Sequence, residues 1–278
     1  MQSQVLNILI PKEPTGYKMV QLAGWTGICF IVPRSEMREL TKRQEAGNPG
    51  LYFLFGENDE ATNQKLYIGE SERFLDRLLS HDSNKDFWNV VVIFTGGLDK
   101  AKAKYLEFCA IDEARKIGRY TILNTTIPRK NSLSEFDNAI AQDYFTKIKY
   151  TLLALGYPIF ESVSEASKDS SIYFLKKRDG VDAQAQLLKD GSLYVQKGAL
   201  ARIKEADSFI GWAYGARRRF QKDGAFKDNG DGISYILTRD ILFKSPSAAA
   251  ATLTGRSTNG WTAWRDEEGN TLDENLRK

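Results

Sequence analysis

Short apolar runs and helical periodicity alternate along the first half of the chain. Residues 5–10 and 26–32 are apolar runs separated by Pro11, Pro14 and Gly16, and they read as two strands. Pro33-Arg34-Ser35 then opens a short helix running to Glu45. The turn signal Gly47-Asn48-Pro49-Gly50 isolates a strand at 51–55, and a polar loop separates it from another at 65–69. From 72 to 80 the spacing turns helical: Phe74, Leu75, Leu78 and Leu79 share one side, while Arg73, Arg77 and His81 follow at successive i+4 steps on another. A valine-rich buried strand at 88–95 closes at Gly96-Gly97. A long helix at 100–117 ends at Gly118, and a short strand at 120–123 leads into Asn124.

Further on, Phe136, Ile140, Tyr144, Ile148, Leu152 and Leu155 recur at helical spacing until Gly156-Tyr157-Pro158 stops the pattern. Beyond 167 the chain is strand-rich, with runs at 171–176, 191–197 and 233–237. Ser245-Pro246 opens a small alanine-rich helix that Gly255 ends. This order predicts a mixed α/β (α+β) protein in four parts. Residues 1–46 form a small N-terminal lobe, 47–130 a small mixed sheet flanked by helices, 131–166 a helical linker and 167–278 a strand-rich α+β domain.

A length of 278 residues supports more than one compact unit, since single domains usually hold roughly 100 to 200. With 42% hydrophobic and 27% charged residues, the composition is globular. The 39 basic residues are nearly balanced by 36 acidic ones, so bulk charge marks no polyanion binder and any such surface must come from local clustering. Cys29 and Cys109 sit in apolar contexts that suit buried reduced thiols. The longest apolar run, 28–32, is far short of the roughly 20 residues that span a bilayer, and no leader pattern opens the chain. A cytoplasmic protein without a membrane partner is expected.

Gly50-Leu51-Tyr52 and Tyr67-Ile68-Gly69 each place a tyrosine near a glycine on neighbouring strands. Arg77 follows in the next helix, with His81 one turn on, Glu107 in the long helix and Asn124 after the short strand. Glu107 emerges along a face made by Ala103, Ala110, Ile111 and Ala114, where an unpaired carboxylate is costly unless a metal or cation compensates it. A salt bridge to Arg77 or Lys104 is the alternative.

As a set, residues 47–126 resemble the GIY-YIG nuclease family, with Leu51 replacing the isoleucine of the family name, a volume-conserving swap. The resemblance implies a phosphodiester hydrolase acting on nucleic acid, with DNA the expected form, and one divalent ion, Mg²⁺ or Mn²⁺, on Glu107. It implies that Tyr52, or a water it polarises, acts as base, that Tyr67 orients the water and that Asn124 supports the site. Arg77 suits a bidentate phosphate clamp, and His81, the sole histidine, has a pKa near neutrality for proton transfer. Arg73 is a neighbouring phosphate contact.

In the second half, Arg217, Arg218 and Arg219 lie among aromatics at 212–222, the mixture that stacking plus phosphate contact requires; a solvated loop beside core aromatics is the alternative. Ser245-Pro246-Ser247, the segment Gly255 to Trp261 and Trp264 resemble a C-terminal domain of unknown function that often accompanies GIY-YIG modules and occurs with restriction and modification systems. That resemblance implies a targeting module. Two further readings stand beside the nuclease: a catalytically silent nucleic-acid-binding protein on a nuclease-like fold, and a protein-interaction domain within a defence or mobile-element assembly.

Overall fold

The computed structural model describes residues 4–11, 13–56, 64–84, 86–161, 171–206, 209 and 211–276, with the backbone alone at 80–84 and 212. The described chain divides into two compact units, one ending at Glu161 and the other holding residues 171–276. It is a mixed α+β protein with two multi-stranded sheets flanked by helices.

The first unit is built on β1 (Leu6–Leu9), β2 (Lys18–Leu22), β3 (Ile28–Pro33), β4 (Gly50–Gly56), β5 (Lys65–Ser71), β6 (Val90–Thr95) and β7 (Thr121–Ile122). Their order in the sheet is β1-β2-β3-β6-β4-β5-β7, antiparallel except where β5 meets β7. Its helices are α1 (Phe74–Asn84), α2 (Lys100–Ile117) and α3 (Glu135–Ala154). The central strand β4 is buried at all seven positions because both faces of the sheet are covered. Leu51, Phe53 and Phe55 face a core shared with Leu106, Ile111 and Ile148 of α2 and α3. Tyr52 and Leu54 face the opposite core, with Phe74 and Leu78 of α1 and Met37 and Leu40. Cys29 is buried and Cys109 half-buried, and both are free.

Three expectations change here. Residues 6–33 are no separate lobe: β3 continues the sheet by pairing with β6 from Ile28↔Thr95 to Pro33↔Val90, and β2, hidden among turn residues, joins β1 to β3. The short helix from 33 to 45 is a pair of 3₁₀ segments, Arg34–Lys42 and Gln44–Gly47. The helix expected as a linker is part of the first unit, burying Ala141, Tyr144, Phe145, Ile148 and Leu152 in its core. Phe136 and Ile140 stay exposed, at 85% and 53%. A repeat of four drifts about 40° per step on a helix of 3.6 residues per turn, so the two ends of that stripe face different surroundings.

The second unit holds β8 (Ile172–Lys177), β9 (Val181–Leu187), β10 (Leu193–Val195), β11 (Leu200–Arg202), β12 (Phe226–Asp228), β13 (Ser234–Leu237) and β14 (Ile241–Phe243). Strand β9 is the hub, pairing with β8 along one edge and with β10 and β11 along the other. Among the described residues four helices accompany the sheet: α4 (Trp212–Lys222), α5 (Pro246–Thr254), α6 (Gly260–Ala263) and α7 (Leu272–Leu276). The segment 212–222 is thus a helix, because Ala213, Ala216, Arg217 and Phe220 recur at helical spacing on its buried side. Helix α5 is buried around most of its girth, which explains its alanines, and Ser245 caps it by accepting from the Ala248 amide.

Trp264 is fully buried with its indole N–H donating to the Pro246 carbonyl at 3.1 Å. Beside it, Gly260 approaches the backbone of α5 so closely that a Cβ there would lie 2.1 Å from the Pro246 carbonyl carbon. Among the described residues no helix is long and apolar enough to cross a membrane. Gly260→Ala should therefore destabilise the second unit by about 3 kcal/mol, the upper range for overpacking a rigid contact. Urea unfolding followed by tryptophan fluorescence checks this; an unchanged midpoint would show that the α5–α6 contact yields easily.

Candidate active site

Strands β4 and β5 carry the two tyrosines on one face, with Tyr52 opposite Gly69 and Leu54 opposite Tyr67. The ring of Tyr52, 1% exposed, lies over Gly69, where a Cβ would come within 2.4 Å of its Cζ and hydroxyl oxygen. The glycine of the second tripeptide is thus the space into which the tyrosine of the first fits. The two phenol rings are roughly parallel, with centroids 6.4 Å apart. Arg77 approaches them from α1, and its guanidinium charge acts on both phenols. Burial raises the pKa of both tyrosines above the ordinary phenol value, against the pull of Arg77. In the metal-free protein, Tyr52 and Tyr67 are therefore neutral at physiological pH.

Glu107 is half-buried on α2, where Ala103, Ala110, Ile111 and Ala114 are buried around it. It lies close to Glu70, whose backbone favours the ionised form of Glu107 and which pairs with Leu51 on the α2-facing side of β5. Burial first, and then the nearby Glu70 carboxylate, push the Glu107 carboxyl up to about 7, while the more distant Lys104 and Arg77 charges pull the other way. Glu70 is itself raised, chiefly by burial. The salt bridge considered for Glu107 is absent: among the described residues it has no cation within 4.0 Å. Both tyrosines feel the Glu107 charge, so the phenol pair, Arg77, Glu107 and Glu70 share one electrostatic neighbourhood at the end of β5.

Asn124, 7% exposed, accepts from the Ile68 amide at 3.0 Å and donates to the Ile68 carbonyl at 2.7 Å, fastening β5 beyond the end of its pairing with β7. Arg115 in turn donates to the Asn124 carbonyl. Arg73 lies apart, exposed and paired with Asp76 at 3.2 Å. The backbone of His81 lies in α1, and its side chain lies outside the described residues. Sequence reasoning missed Glu70. A carboxylate following the glycine of the second tripeptide is unremarkable until strand register and helix packing set it beside Glu107.

The arginine run needs correction. Arg217 has no exposed side-chain surface. It pairs with Glu205 at 2.9 Å, donates to the carbonyls of Thr252, Arg202 and Ile203, and lies among the rings of Phe209, Phe226 and Tyr235. A guanidinium so enclosed ties α4 to α5 and β11 and is closed to a phosphate. Arg218 stays exposed, over Tyr214 at 4.6 Å and 3.5 Å from Glu205, and Arg219 lies over Phe220 at 5.3 Å.

Comparison with known proteins bears on the second unit. Residues 173–276 match the family model described as a domain of unknown function (DUF4357). The DUF4357 match runs from β8 to α7, where the Gly-Trp and tryptophan segments lie, so the expected C-terminal domain of unknown function is present. No curated protein and no solved structure matches the chain, and the comparisons give no support to a GIY-YIG module at residues 47–126.

The Glu107 pKa has a measurable consequence. Its folded value, about 7, lies above the ordinary 4.5, so ionising it opposes folding; stability falls as pH rises through that window and the whole penalty is present above it. Glu107→Gln should accordingly raise the melting temperature of the metal-free protein at pH 8 and change it little near pH 5. A uniform effect at both pH values would show that Glu107 is not held neutral by its surroundings.

Proposed function

We propose that the first unit is a metal-dependent endonuclease of GIY-YIG type that hydrolyses phosphodiester bonds of nucleic acid, with DNA as the first substrate to test. The observation that carries the reading is the joint arrangement of Arg77 on two strand tyrosines beside a half-buried glutamate without an ion-pair partner. Such a set has the parts that the reaction needs: a cation for the phosphate oxygens, groups that orient the attacking water and a place for metal charge.

The residues fit a divalent ion in a specific sense. Among the described residues no group of three or more His, Cys, Asp or Glu could hold a metal by itself. Glu107, with Glu70 beside it, offers the hard oxygen donors that Mg²⁺ or Mn²⁺ prefers, and such ions commonly take one or two carboxylates and complete their shell with water and phosphate oxygens. A bound divalent ion would neutralise charge on the phosphate and its leaving oxygen. Arg77 clamps a non-bridging phosphate oxygen with N–H groups not used by the tyrosines. The neutral hydroxyls of Tyr52 and Tyr67, near the Arg77 charge, keep their own protons for orienting a water or phosphate oxygen. Asn124 holds β5, and with it Tyr67 and Glu70, in register. His81, one turn beyond Arg77, is the candidate proton acceptor on sequence grounds, because Tyr52 starts from a raised pKa.

That raised pKa also favours the competing reading, a nuclease-like module that binds nucleic acid without cutting. The second unit then positions the substrate in either case. Supercoiled plasmid, branched DNA and RNA offered to the wild type with Mg²⁺ or Mn²⁺ separate the two. Metal-dependent nicking that falls at least about 100-fold in Glu107→Ala is expected, since loss of a metal-site partner alone costs 10–100-fold. Binding without cleavage of every substrate would leave the silent module standing.

A further inference from the structure

The open face of the second unit's sheet carries a trough with two chemically different ends. One cavity of about 460 Å³ opens at the β8–β9 hairpin and is lined by Lys176, Lys177 and Arg178. Another of about 390 Å³ lies against Gln184, Gln196 and Asn229. Both are lined by Asp182 and Leu200, which face each other where β9 pairs with β11, so the two cavities join into one trough across the sheet.

Charge distinguishes the ends. The three hairpin cations are exposed. Lys176 approaches Asp182 only to 3.8 Å, with both side chains more than half exposed, a pair too weak to withhold the ammonium from a phosphate. Behind the hairpin, the single carboxylate of Asp179 answers two guanidinium groups, Arg202 at 3.4 Å and Arg256 at 3.5 Å, so that side stays cationic. Asp231, at the same end, is occupied by the Ser234 hydroxyl and the amides of Ile233 and Ser234. At the other end Gln184, Gln196 and Asn229 offer carboxamides, each both donor and acceptor and able to meet a base edge, and the exposed Lys197 adds one further cation beside them. Phe174 lies opposite Gln184 on the same face, partly exposed, with Lys176 over its ring at 5.7 Å.

We propose that this trough binds one strand of nucleic acid, its phosphates at the Lys176–Lys177–Arg178 hairpin and a base against Gln184 and Gln196. A strand offers phosphates to the cations and base edges to the carboxamides; an acidic peptide, whose backbone amides also meet carboxamides, is the alternative that displacement by polyglutamate tests. The binding stands independently of cleavage by the first unit.

The test uses the full chain carrying Glu107→Ala, in EDTA, so that no cutting intervenes. Anisotropy of a fluorescein-labelled single-stranded oligonucleotide is titrated at several salt concentrations. The combined variant Lys176→Ala, Lys177→Ala, Arg178→Ala should weaken binding about 10- to 100-fold and lower the slope of log affinity against log salt by about 2, the loss of three phosphate contacts. Gln184→Ala with Gln196→Ala should keep that slope and reduce the preference among homopolymers of different base. Circular dichroism and melting of these surface variants should match the parent. An unchanged slope in the hairpin variant, loss that tracks Arg218→Ala with Arg219→Ala instead, or equal displacement by polyglutamate would overturn the proposal. Cleavage by the chain with Glu107 intact, scored separately, leaves the result unaffected.

Discussion

Tyr52 packs its ring against the backbone of Gly69, and the candidate site of the first unit is organised around that contact. A methyl group at 69 would collide with the phenol carbon and oxygen at 2.4 Å. The ring would then have to leave its place, and the hydroxyl on which the Arg77 charge acts would leave with it. Close packing of this kind requires a rigid support, which the two-sided burial of β4 supplies: one core from α2 and α3, another from α1 and the 3₁₀ segments. The strands of residues 6–33 widen the sheet and complete that cover.

Electrostatics work against the packing. Glu107 and Glu70 lie near each other in a partly buried setting: burial raises the pKa of both, and the Glu70 charge raises Glu107 further. A fold selected for stability alone has no reason to keep such a pair, and a site that binds a divalent cation does. The second unit shows the opposite use of a buried charge. Arg217 is fully paired with Glu205 and three backbone carbonyls, so its charge is spent in joining elements. Cations of the β8–β9 hairpin, by contrast, remain open to solvent.

Much of the first unit was legible because its elements are long and periodic. Helix α2 spans the residues expected from its Gly118 stop, and β4, β5, α1 and β6 lie within a few residues of their patterns. The short strands β2, β11, β12 and β14 were not legible: runs of three to five residues owe their conformation to partners distant in sequence. The length of α3 made a helix plain but concealed which end would be buried. For the site, the residue types at 52, 67, 77, 107 and 124 could be singled out from spacing and family resemblance. Their interplay could not. Glu70 gains its meaning from register, and Arg217 loses its expected one because a basic run on a helix turns one residue in three or four toward the core.

The most direct test of the metal site proposed at Glu107 is a crystal of the protein soaked in Mn²⁺ and measured at the manganese absorption edge. An anomalous peak about 2.1 Å from a Glu107 carboxylate oxygen, absent from a Glu107→Gln crystal, is the result the account predicts. Saturating Mn²⁺ with no peak at Glu107, or a peak held by other residues alone, would contradict it.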